Sequence, residues 1–359
     1  MARAGVLRAT GFTLSMILLL AACGGGDDDD SAVDAGATAS SSAAGACETI
    51  DEMEIGHPGL PPDFIQMVTP LSMELGYMAD ECIEVTELVD FESGIAAFRA
   101  MAAGEFDVGL SGSVSPILAF GEGADAQIFA ASGAYLDFQV VGAGDIDSCE
   151  AMEGRIVGTD GPGGLVHAVT EQFLAGCGID INTDVELIVG DPETFVPQIA
   201  QGAIEATSMH IDERIFAEKE LDTDLNILAN AWEDVPEFHY ASFATASETL
   251  TEKRDLFVRM TAAILRTGKW LNDEANHDEA VASMATVGEV PEAVMEEAFS
   301  TYGSRFPDSC DTMLPLDSYE FLIDLQVQLG NLEEAFPATD LVDTSVCEDA
   351  EALLVEQGF

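Results

Sequence analysis

Apolar positions along the chain recur with two periods, and from about residue 83 the two alternate. Ile83 to Val89 has the pattern of a strand. Ser93 then caps a helix on which Ile95, Phe98 and Ala102 share a face, and Gly104 ends it. Phe106 to Leu110 reads as a short buried strand, and Val114 to Phe120 as an apolar helix after a Ser111-Gly112-Ser113 loop. Ile128 to Ala131 and Phe138 to Val141 are further strands. The pattern then restarts with a strand from Arg155 to Gly158, a loop from Gly161 to Gly164 and a helix from Leu165 to Ala175. Val185 to Val189 is the next strand, Phe195 to Gln201 a helix stopped by Gly202, and Ile204 to Ala206 a short extended piece. Such alternation predicts an α/β architecture in which helices cover both faces of a sheet, and two such units predict two lobes. Beyond about residue 250 the chain turns helical. Leu256, Phe257, Met260, Ala263, Ile264, Thr267, Trp270 and Leu271 form one broad apolar stripe, which is expected to be core.

The first residues follow a different logic. Arg3 and Arg8 precede an apolar run from Phe12 to Leu20 that closes on Leu20-Ala21-Ala22-Cys23. The run is short of the ~20 residues that cross a bilayer as a helix. It reads as a signal peptide, residues 1–22, ending in a lipobox. Cys23 is the expected lipidation site, placing the mature protein outside the cytoplasm and anchored to the cell membrane. Residues 23–46 are almost all Gly, Asp, Ser and Ala, too apolar-poor to order themselves, and read as an acidic tether. About 310 residues remain, enough for two ordinary domains.

Setting Cys23 aside leaves six cysteines: Cys47, Cys82, Cys149, Cys177, Cys310 and Cys347. An even set in an exported chain suggests three disulfides, and no CxxC spacing points to zinc. About 15 pairings are open, of which sequence proximity favours Cys47–Cys82, Cys149–Cys177 and Cys310–Cys347. The formal charge is −55, with only Lys219, Lys253 and Lys269 as lysines. Nucleic-acid binding is thereby excluded as a function. A salty habitat and a merely well-solvated acidic surface both fit.

Ligands of open α/β sheets bind beyond the carboxyl ends of strands, where loops enter helix N-termini. Four loops have the right place and residue types: His57-Pro58-Gly59, Glu92-Ser93-Gly94, Ser111-Gly112-Ser113 and Thr159 to Gly164. Their candidate contacts are His57, Ser93, Ser111, Ser113, Thr159, Asp160, Gly163 and Gly164. Serine before a helix is also an ordinary cap. The Thr159–Gly164 loop matches neither GxxxxGK[ST] nor GxGxxG, which argues against a nucleotide. His210 and Asp212, at the start of a helix, are further candidates. They could hold a metal, but an acidic helix start with a nearby histidine is the simpler reading, and no metal or cofactor is expected. No GxSxG or recognisable histidine spacing supports catalysis. The expectation is therefore a binding protein. Only Arg214 among the basic residues lies near a candidate loop, so a bound anion would depend on backbone donors, with Asp160 or Asp212 facing an amine. A small sulfonate or zwitterion is the favoured ligand on that reading. A heterocycle would want stacking from Tyr135, Trp232 or His239.

Several stretches together resemble the NitT/TauT solute-binding proteins, the SsuA/THI5-like group, over roughly Glu54 to Phe299. They are Glu74-Leu75-Gly76-Tyr77 with Ile83-Glu84-Val85, Phe91-Glu92-Ser93-Gly94, Ala103 to Gly109, Glu153 to Gly158, and Gln201 to Ala206. The resemblance implies a type II periplasmic-binding-protein fold, in which two lobes, each a central sheet flanked by helices, are joined by hinge strands. It places the first part of lobe 1 at 47–140, lobe 2 at 141–240 and the return to lobe 1 at 241–359, with the late helices on lobe 1. It also implies a monomeric binding subunit of an ABC importer, partnered by a permease and its ATPase. Family ligands include taurine, alkanesulfonates, nitrate, bicarbonate and thiamine-precursor pyrimidines. An extracellular sensor or an enzyme on the same fold is the alternative. Cys82 stands where the family usually has glycine, and His210 to Glu213 replaces the family's usual turn, so no ligand contact is carried over there.

Overall fold

The computed structural model describes residues 47–91, 94–162 and 164–359, with side chains for all of these except 94–97 and 193. The signal peptide, Cys23, the tether, Ser93 and Gly163 lie outside the described residues. The strands are β1 (Asp51–Pro58), β2 (Ile83–Phe91), β3 (Val108–Gly112), β4 (Gln127–Gly133), β5 (Phe138–Ala143), β6 (Ile156–Thr159), β7 (Glu186–Val189), β8 (Ala206–His210), β9 (Leu225–Asn230) and β10 (Ala241–Thr245). They build two mixed sheets of five, ordered β2-β1-β3-β10-β4 and β7-β6-β8-β5-β9. Each sheet takes one antiparallel strand across its parallel set. Thus β10 pairs with both β3 and β4, and β5 with both β8 and β9.

The chain passes from the first sheet to the second through residues 134–137 and returns through 231–240. Phe138 and Ala241 are the first strand residues after each passage. The core of the first lobe joins Ile55, Leu110, Phe129 and Phe243, all fully buried, to the apolar stripe of helix Arg254–Leu271, where Phe257 packs 4.7 Å from Phe129. The stripe is core as expected, with Trp270 only partly covered. The late helices are not confined to one lobe. Glu297, on helix Glu292–Tyr302, pairs with Arg214 and Lys219 on helix Ile211–Glu220 of the second lobe.

Two departures from the sequence reading have physical causes. The extended piece at Ile204 is displaced to Ala206–His210, because Thr207 and Ser208 are buried with their hydroxyls satisfied. Thr207 donates to the Gly158 carbonyl at 3.0 Å, and the Ser208 hydroxyl lies 2.8 Å from that of Thr170. Strand β1 carries acidic residues on its open positions and apolar ones inward, which masks it in an acidic chain.

Three disulfides join Cys47 to Cys82, Cys149 to Cys177 and Cys310 to Cys347. Cys82 has a φ of +59°, a left-handed conformation disfavoured for residues with a side chain. That explains the glycine usual in the family at this position; here the residue's link to Cys47 is the reason for a cysteine. The Cys310–Cys347 bond closes a separation of 37 residues onto the C-terminal helix Ser345–Gln357. Its double serine variant is expected to unfold with about 3 kcal/mol less stability in a denaturant titration. An unchanged midpoint under oxidising conditions would show the cross-link to be dispensable.

Candidate functional site

Between the two sheets lies a cavity of about 380 Å³. Lobe 1 contributes Pro58 to Pro61, Asp63, Gln66, Gly112, Val114 and Ser115, and lobe 2 contributes Asp160, Gly164 to Val166, Phe195, Ser208 to His210 and Glu213. Phe138 and Tyr240, one beside each passage between the sheets, complete the wall. Carboxyl ends of strands supply most of it: β1 ends at Pro58, β3 at Gly112, β6 at Thr159 and β8 at His210.

The polar floor is built around His210, the N-cap residue of helix Ile211–Glu220. Its Nδ1 donates to Asp137 Oδ1 at 2.9 Å, and its Nε2 faces Asp63 Oδ2 at 3.3 Å. The Tyr240 hydroxyl lies 3.4 Å from Nε2 and accepts from Gln66 Nε2 at 2.8 Å. The Glu213 carboxylate turns back to accept from the His210 amide at 2.8 Å, closing a capping box. Burial disfavours the imidazolium, but Asp137 and Asp63 outweigh it and push His210 up to about 10. Burial pushes Asp63 and Glu213 upward, with His210 pulling both back. Asp212, buried beside them with Oδ1 unpartnered, is pushed up to about 7 by the same burial and by Asp63.

In the same lobe, Asp160 follows β6 and caps the next helix. Its two oxygens accept from the amides of Val166 (3.4 Å) and His167 (2.9 Å) at the start of helix Leu165–Gly176. Gly164 is needed for this, because a Cβ there would sit 2.1 Å from the Asp160 carboxyl carbon. Burial raises Asp160, against the pull of those amides.

Of the residues singled out in the sequence, Asp160, Gly164 and His210 line the cavity. The other described candidates do not line it, and Ser93 and Gly163 lie outside the described residues. His57 is held between the carbonyl oxygens of Gly59 (3.0 Å) and Gln66 (3.3 Å), bracing the loop that forms the wall. Ser113 belongs to a buried knot, 2.8 Å from His239 Nδ1 and 2.6 Å from Ser242 Oγ. Ser111 is buried with its hydroxyl unpartnered. Thr159 accepts from the Gly161 amide at 3.3 Å, and the Tyr135 carbonyl accepts from Tyr302. His239 donates to the Met313 carbonyl at 3.0 Å and is pushed down to about 4 by burial, which removes it from the wall as a stacking partner. Arg214 is 3% exposed and is engaged by Gln139, Glu218 and Glu297. Sequence reading missed Asp63, Gln66, Asp137 and Tyr240. Asp137 did carry a signal, as a lone charge immediately before the first residue of a strand.

A family model described as NMT1/THI5 like matches residues 67–276, and the chain belongs to that family. A Bacillus subtilis (strain 168) protein named as a binding protein, YtlA, is 22% identical over 283 residues, covering 76% of this chain and 82% of its own. The alkanesulfonate-binding protein SsuA from Xanthomonas axonopodis pv. citri, bound to MOPS, superposes with a TM-score of 0.66 at 16% identity, over 83% of this chain and 100% of its own. The periplasmic nitrate-binding protein NrtA from Synechocystis PCC 6803 gives 0.70 at 12% identity, over 86% of this chain and 91% of its own. These likenesses establish the periplasmic-binding-protein fold.

Proposed function

We propose that the protein is the extracytoplasmic, lipid-anchored solute-binding subunit of an ABC importer, capturing a small organic solute between its lobes and presenting it to a permease. The carrying observation is a cavity walled by both sheets, with the chain passing between them at 134–137 and 231–240. Contacts from both lobes are complete only when the lobes are closed, so ligand favours the closed state by its differential affinity. Both ring nitrogens of His210 face carboxylates, which hold it protonated and unfit as a base. The anchor rests on the Leu20-Ala21-Ala22-Cys23 lipobox.

The favoured taurine-like ligand keeps support for its amine and loses it for its sulfonate. Arg214 is committed elsewhere, and the amides at the start of helix Leu165–Gly176 are already capped by Asp160. Small-angle scattering of protein stripped by denaturation and refolded should show compaction when the ligand recovered from native preparations is returned. An unchanged radius of gyration at saturation would remove the capture mechanism. Cys23→Ala is expected to leave the membrane fraction.

A further inference from the structure

The cavity wall is chemically one-sided. Asp63, Asp160 and Glu213 bring carboxylates to it, and among the described residues no lysine or arginine lines it. None of the positions left undescribed between residues 47 and 359 is basic either, since they are Glu92, Ser93 and Gly163. The one cation present, His210, is consumed between Asp137 at 2.9 Å and Asp63 at 3.3 Å. A helix N-terminus normally invites an anion, yet Asp160 occupies one of those at the cleft and Glu213 folds back onto the other.

A second observation is independent of charge. Gln66 is 4% exposed and lines the cavity, with its amide nitrogen directed at Tyr240 and Asp63. With the amide nitrogen on Tyr240 and Asp63, Oε1 is left as a buried acceptor without a partner. Such an orphan costs stability unless something donates to it. The wall thus offers acceptors and asks for N–H donors. Phe138, Phe195 and Tyr240 add aromatic surface, which attracts a cation through the ring quadrupole and suits an apolar body.

We infer that the ligand of this cleft is an organic cation, an ammonium or amidinium on a compact apolar or aromatic body, held by Asp63, Glu213 and Gln66 Oε1. The inference rests on the solute-capture reading and narrows it to a charge class. Burial raises Asp63, Asp160 and Glu213, which gives a second signature, because an arriving cation draws these carboxyls down and releases protons.

The test uses compounds of one skeleton and different charge: benzylamine, benzamidine, benzyl alcohol and benzenesulfonate, titrated calorimetrically into the whole mature chain. The amines are expected to bind at least about tenfold tighter than the alcohol, with proton release seen as a buffer-dependent heat. Asp63→Asn and Glu213→Gln should each weaken the amines about tenfold while leaving the alcohol unchanged. Benzenesulfonate binding as tightly as benzylamine overturns the inference, as does proton uptake on binding, or failure of both amines to bind at millimolar concentration. Mass spectrometry of the natively carried ligand, in both polarities, separates this from the capture reading. An anion whose return compacts the protein leaves capture standing and removes the cation. If no compound is carried and none compacts the protein, capture itself falls.

Discussion

Asp137→Ala lowers the free energy of unfolding by roughly 3–5 kcal/mol, the usual cost of removing one partner of a buried ion pair. Asp137 is fully buried in the first passage between the sheets. One oxygen accepts from His210 Nδ1 at 2.9 Å, the other from the Ile65 amide at 3.4 Å, and its own carbonyl accepts from the Ile211 amide at 3.1 Å. This one residue therefore holds Ile65 of lobe 1, the passage and the start of a lobe 2 helix in register. Alanine leaves the imidazolium with Asp63 alone, on the side open to the cavity, and leaves the Ile65 amide without its acceptor. Asp137→Asn keeps the volume and one acceptor and should cost about half as much. Combining Asp137→Ala with His210→Gln should recover about 1–3 kcal/mol of the summed single losses, because residues in contact do not add. Urea titrations followed by circular dichroism give all four values, and a loss below about 1 kcal/mol for the alanine variant would mean the pair is not a structural tie.

The fold was legible because helices and strands each impose their own period on apolar residues. Strands such as Phe138–Ala143 and helices such as Leu165–Gly176 fall within a residue or two of their expected bounds. What escaped was polar and buried. Strand β8 hides Thr207 and Ser208 among fully covered positions, and β1 and β9 alternate too weakly in an acidic chain to stand out. The site was half legible for a related reason. Loops after strands can be found from pattern and residue type, which located Asp160, Gly164 and His210. The charge pattern around His210 cannot be found that way, because Asp63, Asp137 and Tyr240 come from three separate segments with no motif linking them. Conversely, Ser113 has the composition of a ligand loop but spends its hydroxyl on His239 and Ser242. In the sequence, a serine that binds ligand and one that ties a hinge look alike.

Loss of the His210 proton makes the protein lose stability on the alkaline side. The folded state raises this imidazole from 6.5 to about 10. Its contribution is therefore complete below pH 6.5 and is lost as pH rises through about 10, a difference on the order of 5 kcal/mol at about 1.4 kcal/mol per tenfold change. Asp212, raised to about 7, acts with the same sign but earlier, its contribution fading between about pH 4 and 7. His239 has the opposite sign. Buried neutral and lowered to about 4, it contributes above pH 6.5 and loses that contribution as pH falls through about 4. Below pH 6.5 the two effects oppose each other and the profile should be shallow. Above about pH 7 only the His210 loss remains of these three, so the alkaline limb should be steep. His210→Gln removes the limb between pH 6.5 and 10 while starting from lower stability, and the two proteins should converge near pH 10. His239→Gln should instead keep the alkaline limb and flatten the acid one. Unfolding free energies from urea titrations across pH 4 to 10 give the comparison. An alkaline slope in His210→Gln equal to that of the parent would show that the imidazole between Asp137 and Asp63 is not the group that titrates.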